Sequence, residues 1–196
     1  GSSVTTITIT FDKGNLSEDG CKLIDQDKIE YITAMRPSTR KALLFIPPEE
    51  FEMKTLPNGK ELGVKEFNKE TYEGFLKQLE LKGIHAKKKK FETYGKPRCI
   101  IALYNPKQAK WQQENFDKKI KDRISKIDAY FKARLNNKEW SKPEKVFEKC
   151  QALLGAKKFQ DTVTVEISGI EGNLTLSVSK NQEAYEAKRI SFGKSF

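Results

Sequence analysis

The order of apolar and polar residues predicts a strand, a helix and a second strand at the start of the chain. Residues 4–11 alternate isoleucine and phenylalanine with threonine, a pattern typical of a strand. Ser17 is a suitable N-cap for a helix to about Lys28, and a β-branched segment follows at 29–35. A strand, a helix and a strand within about thirty residues form a βαβ unit, so the two strands should be parallel. The helix should bury Cys21, Leu23 and Ile24.

Three β-hairpins are predicted farther along the chain. Asn58-Gly59 lies between two apolar runs, and Asn-Gly in such a place is a strong hairpin signal. Residues 99–103 are apolar on both faces, which predicts a strand at the centre of a sheet. The paired segments are 51–56 with 62–67, 86–93 with 98–104, and 163–167 with 174–178.

Helical periodicity predicts one long amphipathic helix and several shorter ones, so the fold class is α+β. Asn105 is suited to cap the long helix, and apolar residues then recur at steps of three and four between 116 and 135. A second helix should start at Pro143 and end near Gly155. Shorter helices are predicted at 38–44 and 71–83, and a helical or irregular tail at 181–189.

Basic residues outnumber acidic ones in the 196-residue chain. Lys and Arg number 37 against 27 Asp and Glu, which gives a formal net charge of +10. A surplus of this size favours a polyanionic partner, and nucleic acid is the commonest. The charge alone leaves the question open, since many basic domains bind no anion specifically. No apolar run approaches the roughly 20 residues that cross a bilayer.

Cysteine and histidine usage argues against several classes of site. Cys21, Cys99 and Cys150 are far apart and odd in number, which predicts reduced, mostly buried thiols rather than a disulfide framework or a zinc site. His85 is the single histidine, so a Ser-His hydrolase or a His-based metal site has almost nothing to build on. These thiols are typical of a cytoplasmic protein.

Asp12 is the candidate catalytic residue, because it directly follows the first predicted strand and Gly14 lets the chain turn away. In open α/β sheets, ligands bind at this edge. An aspartate in such a loop is also a common turn former or helix cap, so both roles stay open. A phosphatase of the haloacid dehalogenase type would need a second aspartate at position 14, where this chain has glycine.

Several stretches of the chain, taken in order, resemble DDE transposases of bacterial insertion sequences. One branch of that family has a strand that ends in Asp-Lys-Gly-Asn, a helix and a second strand. An apolar strand that leads through Asn-Pro into a long charged helix comes later. The resemblance spans most of the chain, and its matching stretches are Asp12–Asn15, Ser17–Gly20, Tyr31–Arg36, Ile100–Lys107 and Phe192–Phe196.

The resemblance implies an RNase H-like catalytic fold. In it, two aspartates and a glutamate hold two divalent metals, Mg²⁺ or Mn²⁺, for DNA cleavage and strand transfer. Asp12 would match the second aspartate and bind metal. The first aspartate would precede this chain, and the glutamate, in a Tyr-x2-Arg-x3-Glu-x6-Lys helix, would follow it. None of the six tyrosines has arginine three positions on, so we expect an internal fragment that is inactive by itself.

The resemblance also implies a domain division and partners. Residues 4–36 would be part of the catalytic core, residues 37–190 an insertion domain, and residues 191–196 the start of the return to the core. The expected partner is DNA, as transposon ends and target, in the nucleoid of a prokaryotic cytoplasm and without a membrane. Strand edges cut from a larger sheet would favour a homodimer.

Basic residues near the second hairpin are the main predicted DNA contacts. The alternative is a solvated edge strand on which lysines prevent aggregation. Most lysines of the long helix should only solvate it, and Trp111 and Trp140 are expected as core or boundary anchors rather than base-stacking residues. The predicted phosphate contacts are Lys13, Lys87, Lys88, Lys89, Lys90, Lys96 and Arg98.

Two other functions stay open. The chain can be an independent basic nucleic-acid-binding domain without catalysis, which predicts salt-dependent binding but no metal-dependent chemistry. It can also be a protein-interaction domain whose charge is incidental, which predicts no salt-dependent DNA binding.

Overall fold

The protein combines helices with mainly antiparallel sheets, as the α+β prediction states. The computed structural model describes residues 8–11, 18–26, 30–34, 40–84, 91 and 98–196. The chain forms two compact units. Unit 1 comprises Gly1–Ala109 with Gly193–Phe196, and unit 2 comprises Lys110–Phe192. This division falls inside the predicted insertion domain, and the boundary expected near residue 37 stays a prediction.

The strand, helix and parallel strand predicted at the start of unit 1 are confirmed. β1 (Thr8–Phe11) and β2 (Glu30–Thr33) form a two-stranded parallel sheet, and α1 (Glu18–Gln26) lies between them in the chain. The short spacing leaves room for one crossover helix, which is the connection that parallel strands need.

The buried side of α1 is narrower than predicted. Cys21 is fully buried and Ile24 is half-buried, as expected, but Leu23 is 62% exposed. Positions 21 and 23 are about 200° apart around a helix, so they cannot share one narrow buried stripe. The prediction for Leu23 was therefore wrong.

A four-stranded antiparallel sheet forms the larger part of unit 1. β5 (Ile100–Tyr104) lies between β4 (Glu61–Phe67) and β8 (Lys194–Ser195), which confirms its predicted central place. Only one face of β5 is well buried, since Ile101 on the other face is 38% exposed. The strands, in sheet order, are β3 (Glu52–Thr55), β4 (Glu61–Phe67), β5 (Ile100–Tyr104) and β8 (Lys194–Ser195).

Of the two hairpins predicted in unit 1, the structure confirms one, and most of the first strand of the other lies outside the described residues. The β3–β4 hairpin is confirmed, and Gly59 in its turn has a φ of +73°, a value that glycine adopts without strain. The segment 86–93 lies outside the described residues except for Phe91. β8 supplies the second neighbour of β5. The return of residues 191–196 to the catalytic core stays a prediction.

Aromatic side chains and one helix fill the space against the sheet. α2 (Lys69–Leu81) confirms the helix predicted at 71–83. It starts with a capping box in which Asn68 Oδ1 accepts from Thr71 N and Thr71 Oγ1 accepts from Asn68 N. The buried aromatic residues of this core are Phe51, Phe67, Tyr72, Phe75, Phe91 and Phe196.

Lys194 joins β8 to a 3₁₀ helix at Lys41–Phe45, where the sequence predicted a short helix. The Lys194 ammonium donates to the carbonyl oxygens of Leu44 at 2.7 Å and Ile46 at 2.6 Å. Burial lowers the pKa of Lys194 from 10.5 to about 8, and the nearby charge of Glu49 acts in the opposite direction.

The lowered pKa of Lys194 predicts a stability difference that depends on pH. Between about pH 8 and pH 10.5, the unfolded chain binds this proton more strongly than the folded chain, so the contribution of Lys194 to stability rises with pH. Relative to Lys194→Met, the wild-type protein should therefore gain about 1–2 kcal/mol over this window, as measured by urea unfolding. Lys60→Met, at an exposed turn, is the control. An unchanged difference across the window would contradict the assignment.

Unit 2 packs helices on one face of a long β-hairpin. The long helix, the helix that starts at Pro143 and the last hairpin are confirmed, and the tail proves helical. The short helix α5 (Lys157–Thr162) was not predicted from the sequence. The elements are α3 (Pro106–Phe131), α4 (Pro143–Leu154), α5 (Lys157–Thr162), β6 (Val163–Ile170), β7 (Asn173–Lys180) and α6 (Gln182–Arg189), with residues from Lys110 on belonging to unit 2.

The core of unit 2 follows the predicted stripe of α3. Alternate positions of β6 and β7 supply the facing side, because a strand turns every second side chain to the same face. The buried side chains are Phe116, Ile120, Ile127, Phe131, Val146, Cys150, Leu154, Phe159, Val163, Leu174 and Tyr185.

Asn136 connects the end of α3 to the hairpin edge. Its side-chain nitrogen donates to Leu174 O at 3.0 Å, and its Oδ1 accepts from Leu174 N at 2.6 Å. The amide thus takes the place that a neighbouring strand would occupy beside β7. Asn136 has a φ of +67°, and asparagine tolerates this left-handed conformation better than most residues.

Candidate nucleic-acid interface

The first strand ends directly before Asp12. Phe11, its last residue, pairs with Thr33 at the end of β2. Because β1 and β2 are parallel, their carboxyl ends meet at one edge of the sheet, the edge at which open α/β sheets bind ligands. Asp12 itself lies outside the described residues, so its role as a metal ligand stays a prediction.

Most of the predicted phosphate contacts also lie outside the described residues. Arg98 is the one that the structure places. The others are Lys13, Lys87, Lys88, Lys89, Lys90 and Lys96.

The Arg98 guanidinium is engaged within unit 1. It donates to Oδ2 of Asp25 at 2.7 Å, and its central carbon lies 4.8 Å from the centroid of the Tyr31 ring. Only 22% of the Arg98 side chain and 12% of the Asp25 side chain are exposed. A phosphate would therefore have to compete with a carboxylate that is already in place. Arg98 links α1 and β2 to the segment that leads into β5.

The side chains near Arg98, Tyr31 and Cys21, have structural roles and are not suited to proton transfer. Burial, followed by the hydrogen bond with Cys21, raises the pKa of Tyr31 above its usual range, while Arg98 acts in the opposite direction. The Tyr31 phenol therefore stays protonated at neutral pH. Cys21 is fully buried, as expected of an inert structural thiol.

The remaining cysteines divide between the core and the surface. Cys150 is buried, and burial raises its pKa to about 11. Cys99 is exposed, unlike the other two, although local burial of the sulfur still raises its pKa. All three cysteines are free thiols.

The described residues contain no ready-made metal centre. Within ranges 8–11, 18–26, 30–34, 40–84, 91 and 98–196, no three histidine, cysteine, aspartate or glutamate side chains come together as ligands. The Asp25 carboxylate of α1 already pairs with Arg98.

Comparisons with known proteins leave the chain without a match. No family model, curated protein or solved structure matches it. The resemblance to DDE transposases therefore rests on the order of stretches in the sequence. Among the helices that the structure describes, none has both the length and the apolar character that crossing a bilayer requires.

Some charged residues of α3 have structural partners in unit 2. Arg123 donates to Leu154 O at 2.8 Å, and its guanidinium lies 3.7 Å from the centroid of the Phe159 ring. Arg123 therefore caps the C-terminus of α4 rather than facing a ligand. Its hydrogen bond satisfies a carbonyl group that has no partner within the helix.

Asp117 of α3 is likewise occupied. Its Oδ2 accepts from the Tyr185 hydroxyl at 2.9 Å, and Lys180 lies 3.9 Å away. Burial, followed by the bond to Asp117, raises the pKa of Tyr185 to about 12. This cluster ties α3 to α6 and β7.

The two tryptophans differ in environment. Trp140 packs edge-on against Tyr130 and Phe131, with 5.6 Å between centroids in both pairs, which confirms its predicted anchoring role. Trp111 is 64% exposed, so the expectation of an anchor was wrong for this residue. It lies on the solvent side of α3, about 140° from Phe116 around the helix.

The structure brings together two basic residues that the sequence did not connect. Arg134 was one of many cations expected only to solvate the long helix, and Lys149 was not singled out. Both lie against the ring of Tyr130, at 4.5 Å and 4.7 Å from its centroid. Their spacing in the chain carries no signal, because they lie on different segments of unit 2.

Proposed function

We propose that this chain is part of a DDE transposase, an enzyme that cleaves DNA and joins it to a new site with the help of divalent metal ions. The observation that carries the proposal is the parallel unit of β1, α1 and β2, whose first strand ends at the residue before Asp12. A carboxylate at the carboxyl end of such a strand is suited to bind a metal in a phosphoryl-transfer site.

A single carboxylate does not make a two-metal site. Two divalent cations need several oxygen ligands, and the described residues hold no group of three ligating side chains. The described residues by themselves therefore do not make such a site. The other aspartate and the glutamate are expected in further sequence of the same protein.

The basic character of the chain supports DNA as the partner. The formal net charge is +10, and the predicted contacts near the second hairpin include four consecutive lysines, residues 87–90. Phosphate contacts by lysine and arginine supply most of the affinity of a protein for DNA without regard to base sequence. RNase H-like architecture for the first part, and an insertion domain for the rest, belong to this proposal.

The alternative is a basic nucleic-acid-binding domain that performs no chemistry. It is favoured by the same surplus of basic residues. The two functions differ in whether metal-dependent DNA joining depends on this chain.

The test is to express the complete protein from the parent gene and to measure DNA cleavage and joining with Mg²⁺ or Mn²⁺. The proposal expects an upstream strand that ends in aspartate, a downstream Tyr-x2-Arg-x3-Glu-x6-Lys helix and metal-dependent joining. A reading frame without these carboxylates, together with salt-dependent binding and no joining, would establish the alternative.

A further inference from the structure

Tyr130, near the end of α3, carries two cations on its ring. The guanidinium carbon of Arg134 lies 4.5 Å from the ring centroid, and the Lys149 ammonium lies 4.7 Å from it. Arg134 also donates to the Tyr130 carbonyl oxygen at 2.9 Å. An aromatic ring attracts a cation through its quadrupole, but it leaves the positive charge without a counter-charge.

Among the described residues, neither Arg134 nor Lys149 forms an ion pair with a carboxylate. Other lysines of unit 2 do form such pairs. Lys142 pairs with Glu171, Lys157 with Asp161 and Lys180 with Asp117. Arg134 and Lys149 instead contact the same aromatic ring. Lys126 and Lys145 lie one helical turn before Tyr130 and Lys149 respectively, and both are exposed.

Packing holds the Tyr130 ring in one place. Trp140 and Phe131 contact it edge-on, with centroids 5.6 Å and 5.1 Å away. Asn136, two residues after Arg134, bonds both backbone groups of Leu174 and so fixes the segment that carries the guanidinium. Cations that are already held in position lose less side-chain entropy when they bind an anion.

We infer that Tyr130, Arg134 and Lys149, with Lys126 and Lys145 at the margin, form a surface that binds the sugar-phosphate backbone of duplex DNA. The inference rests on the proposed function for the identity of the partner. The two cationic centres contact one ring and are therefore less than about 10 Å apart, a span of at most about three base-pair rises of ~3.4 Å. They can therefore reach phosphates within one short stretch of the backbone. This Tyr130 surface lies in unit 2, apart in sequence from the lysines near residue 90.

The test compares DNA binding by the 196-residue chain and by the double variant Arg134→Gln with Lys149→Gln. Binding to a fluorescent duplex of mixed sequence is measured by anisotropy at several salt concentrations. The plot of log K against log salt has a negative slope, and loss of two phosphate contacts should make it less steep by roughly 2. Binding should also weaken at least about tenfold near 0.1 M salt.

The matched control is Lys142→Gln with Lys157→Gln, which removes the same charge from unit 2. Both control lysines are paired with carboxylates and well exposed, at 57% and 85% of their side chains. This variant should bind within about threefold of wild type, because its lysines are already partly neutralised. An equal loss in both variants would show a general charge effect and overturn the inference.

A second pair of variants keeps the charge and changes only the ring. Tyr130→Leu should weaken binding severalfold, because the cations lose their common support, whereas Tyr130→Phe should bind as wild type does. Melting curves establish that each variant is folded. If Tyr130→Leu binds like Tyr130→Phe, the ring does not position the cations, and the inference fails in that respect.

The outcomes separate this inference from the proposed function. A wild-type chain that binds no DNA overturns the inference, and the joining assay on the complete protein then decides the proposed function separately. A wild-type chain that binds with steep salt dependence, together with a double variant that matches its control, retains DNA as the partner and rejects the Tyr130 surface.

Discussion

Asp12→Asn in the complete protein should abolish metal-dependent DNA cleavage and joining, with a loss on the order of a thousandfold or more. Asparagine is close to aspartate in shape but has no negative charge, so it holds a divalent cation far less tightly. A loss of this size corresponds to about 4 kcal/mol of transition-state stabilisation, which is within what one metal ion supplies. The measurement is the rate of strand joining at saturating Mg²⁺ and again with Mn²⁺.

Asp19→Asn is the control for this experiment. Asp19 is on α1, a few residues after Asp12, with 94% of its side chain exposed and only a long ion pair of 3.8 Å to Lys22. Its substitution should leave joining unchanged, since exposed pairs of this kind contribute little. DNA binding should be similar in both variants. If Asp12→Asn joins DNA at the wild-type rate, Asp12 is a loop or cap residue and the transposase proposal loses its catalytic candidate.

Gly193→Ala should destabilise unit 1 by about 3–4 kcal/mol, because it combines backbone strain with a steric clash. Gly193 has a φ of +72°, and a Cβ there would lie 2.6 Å from the Ala109 Cβ and 2.6 Å from the Asn105 carbonyl oxygen. Both neighbours are parts of α3 or its cap, so they cannot move aside cheaply. The Gly193 carbonyl also accepts from Asn105 N at 2.8 Å. Urea unfolding followed by circular dichroism measures the loss, because both tryptophans lie in unit 2 and do not report on unit 1.

Gly83→Ala isolates the backbone contribution. Gly83 has the same φ of +72°, but a Cβ there would meet nothing within 4 Å. Its substitution should cost only about 1–2 kcal/mol, the usual cost of a left-handed conformation for alanine. If both substitutions lower the free energy of unfolding equally, the close contact between Gly193 and α3 does not contribute to the effect. A larger loss at Gly193 should be accompanied by loss of the β5–β8 pairing that begins at Lys194.

Local patterns predicted most of the elements, because these elements are specified by neighbouring residues. Alternation with threonine predicted β1, Asn58-Gly59 predicted the β3–β4 turn, and apolar steps of three and four predicted α3. In each case the pattern and the turn chemistry agree with the element that forms. α5 was missed because six residues are too few to show a helical period.

Burial at single positions was less predictable. Leu23 and Trp111 are apolar yet exposed, because their places around a helix and the shape of the neighbouring core decide burial. Arg40 shows the reverse, since it is 5% exposed, donates to Phe91 O at 3.2 Å and lies over the Tyr72 ring. Nothing near residue 40 in the sequence indicates partners that are tens of residues away.

For the candidate sites as well, local sequence determined some features and tertiary contacts determined others. The sequence by itself determined the strand–helix–strand order around Asp12 and the surplus of basic residues, since both depend on composition and on short-range pattern. Only the tertiary structure decided which cations are neutralised. Arg98, a predicted phosphate contact, bonds Asp25, whereas Arg134 and Lys149 share the Tyr130 ring. The pairing of a charge depends on groups that folding brings within a few ångströms, and that information is not contained in any local stretch of sequence.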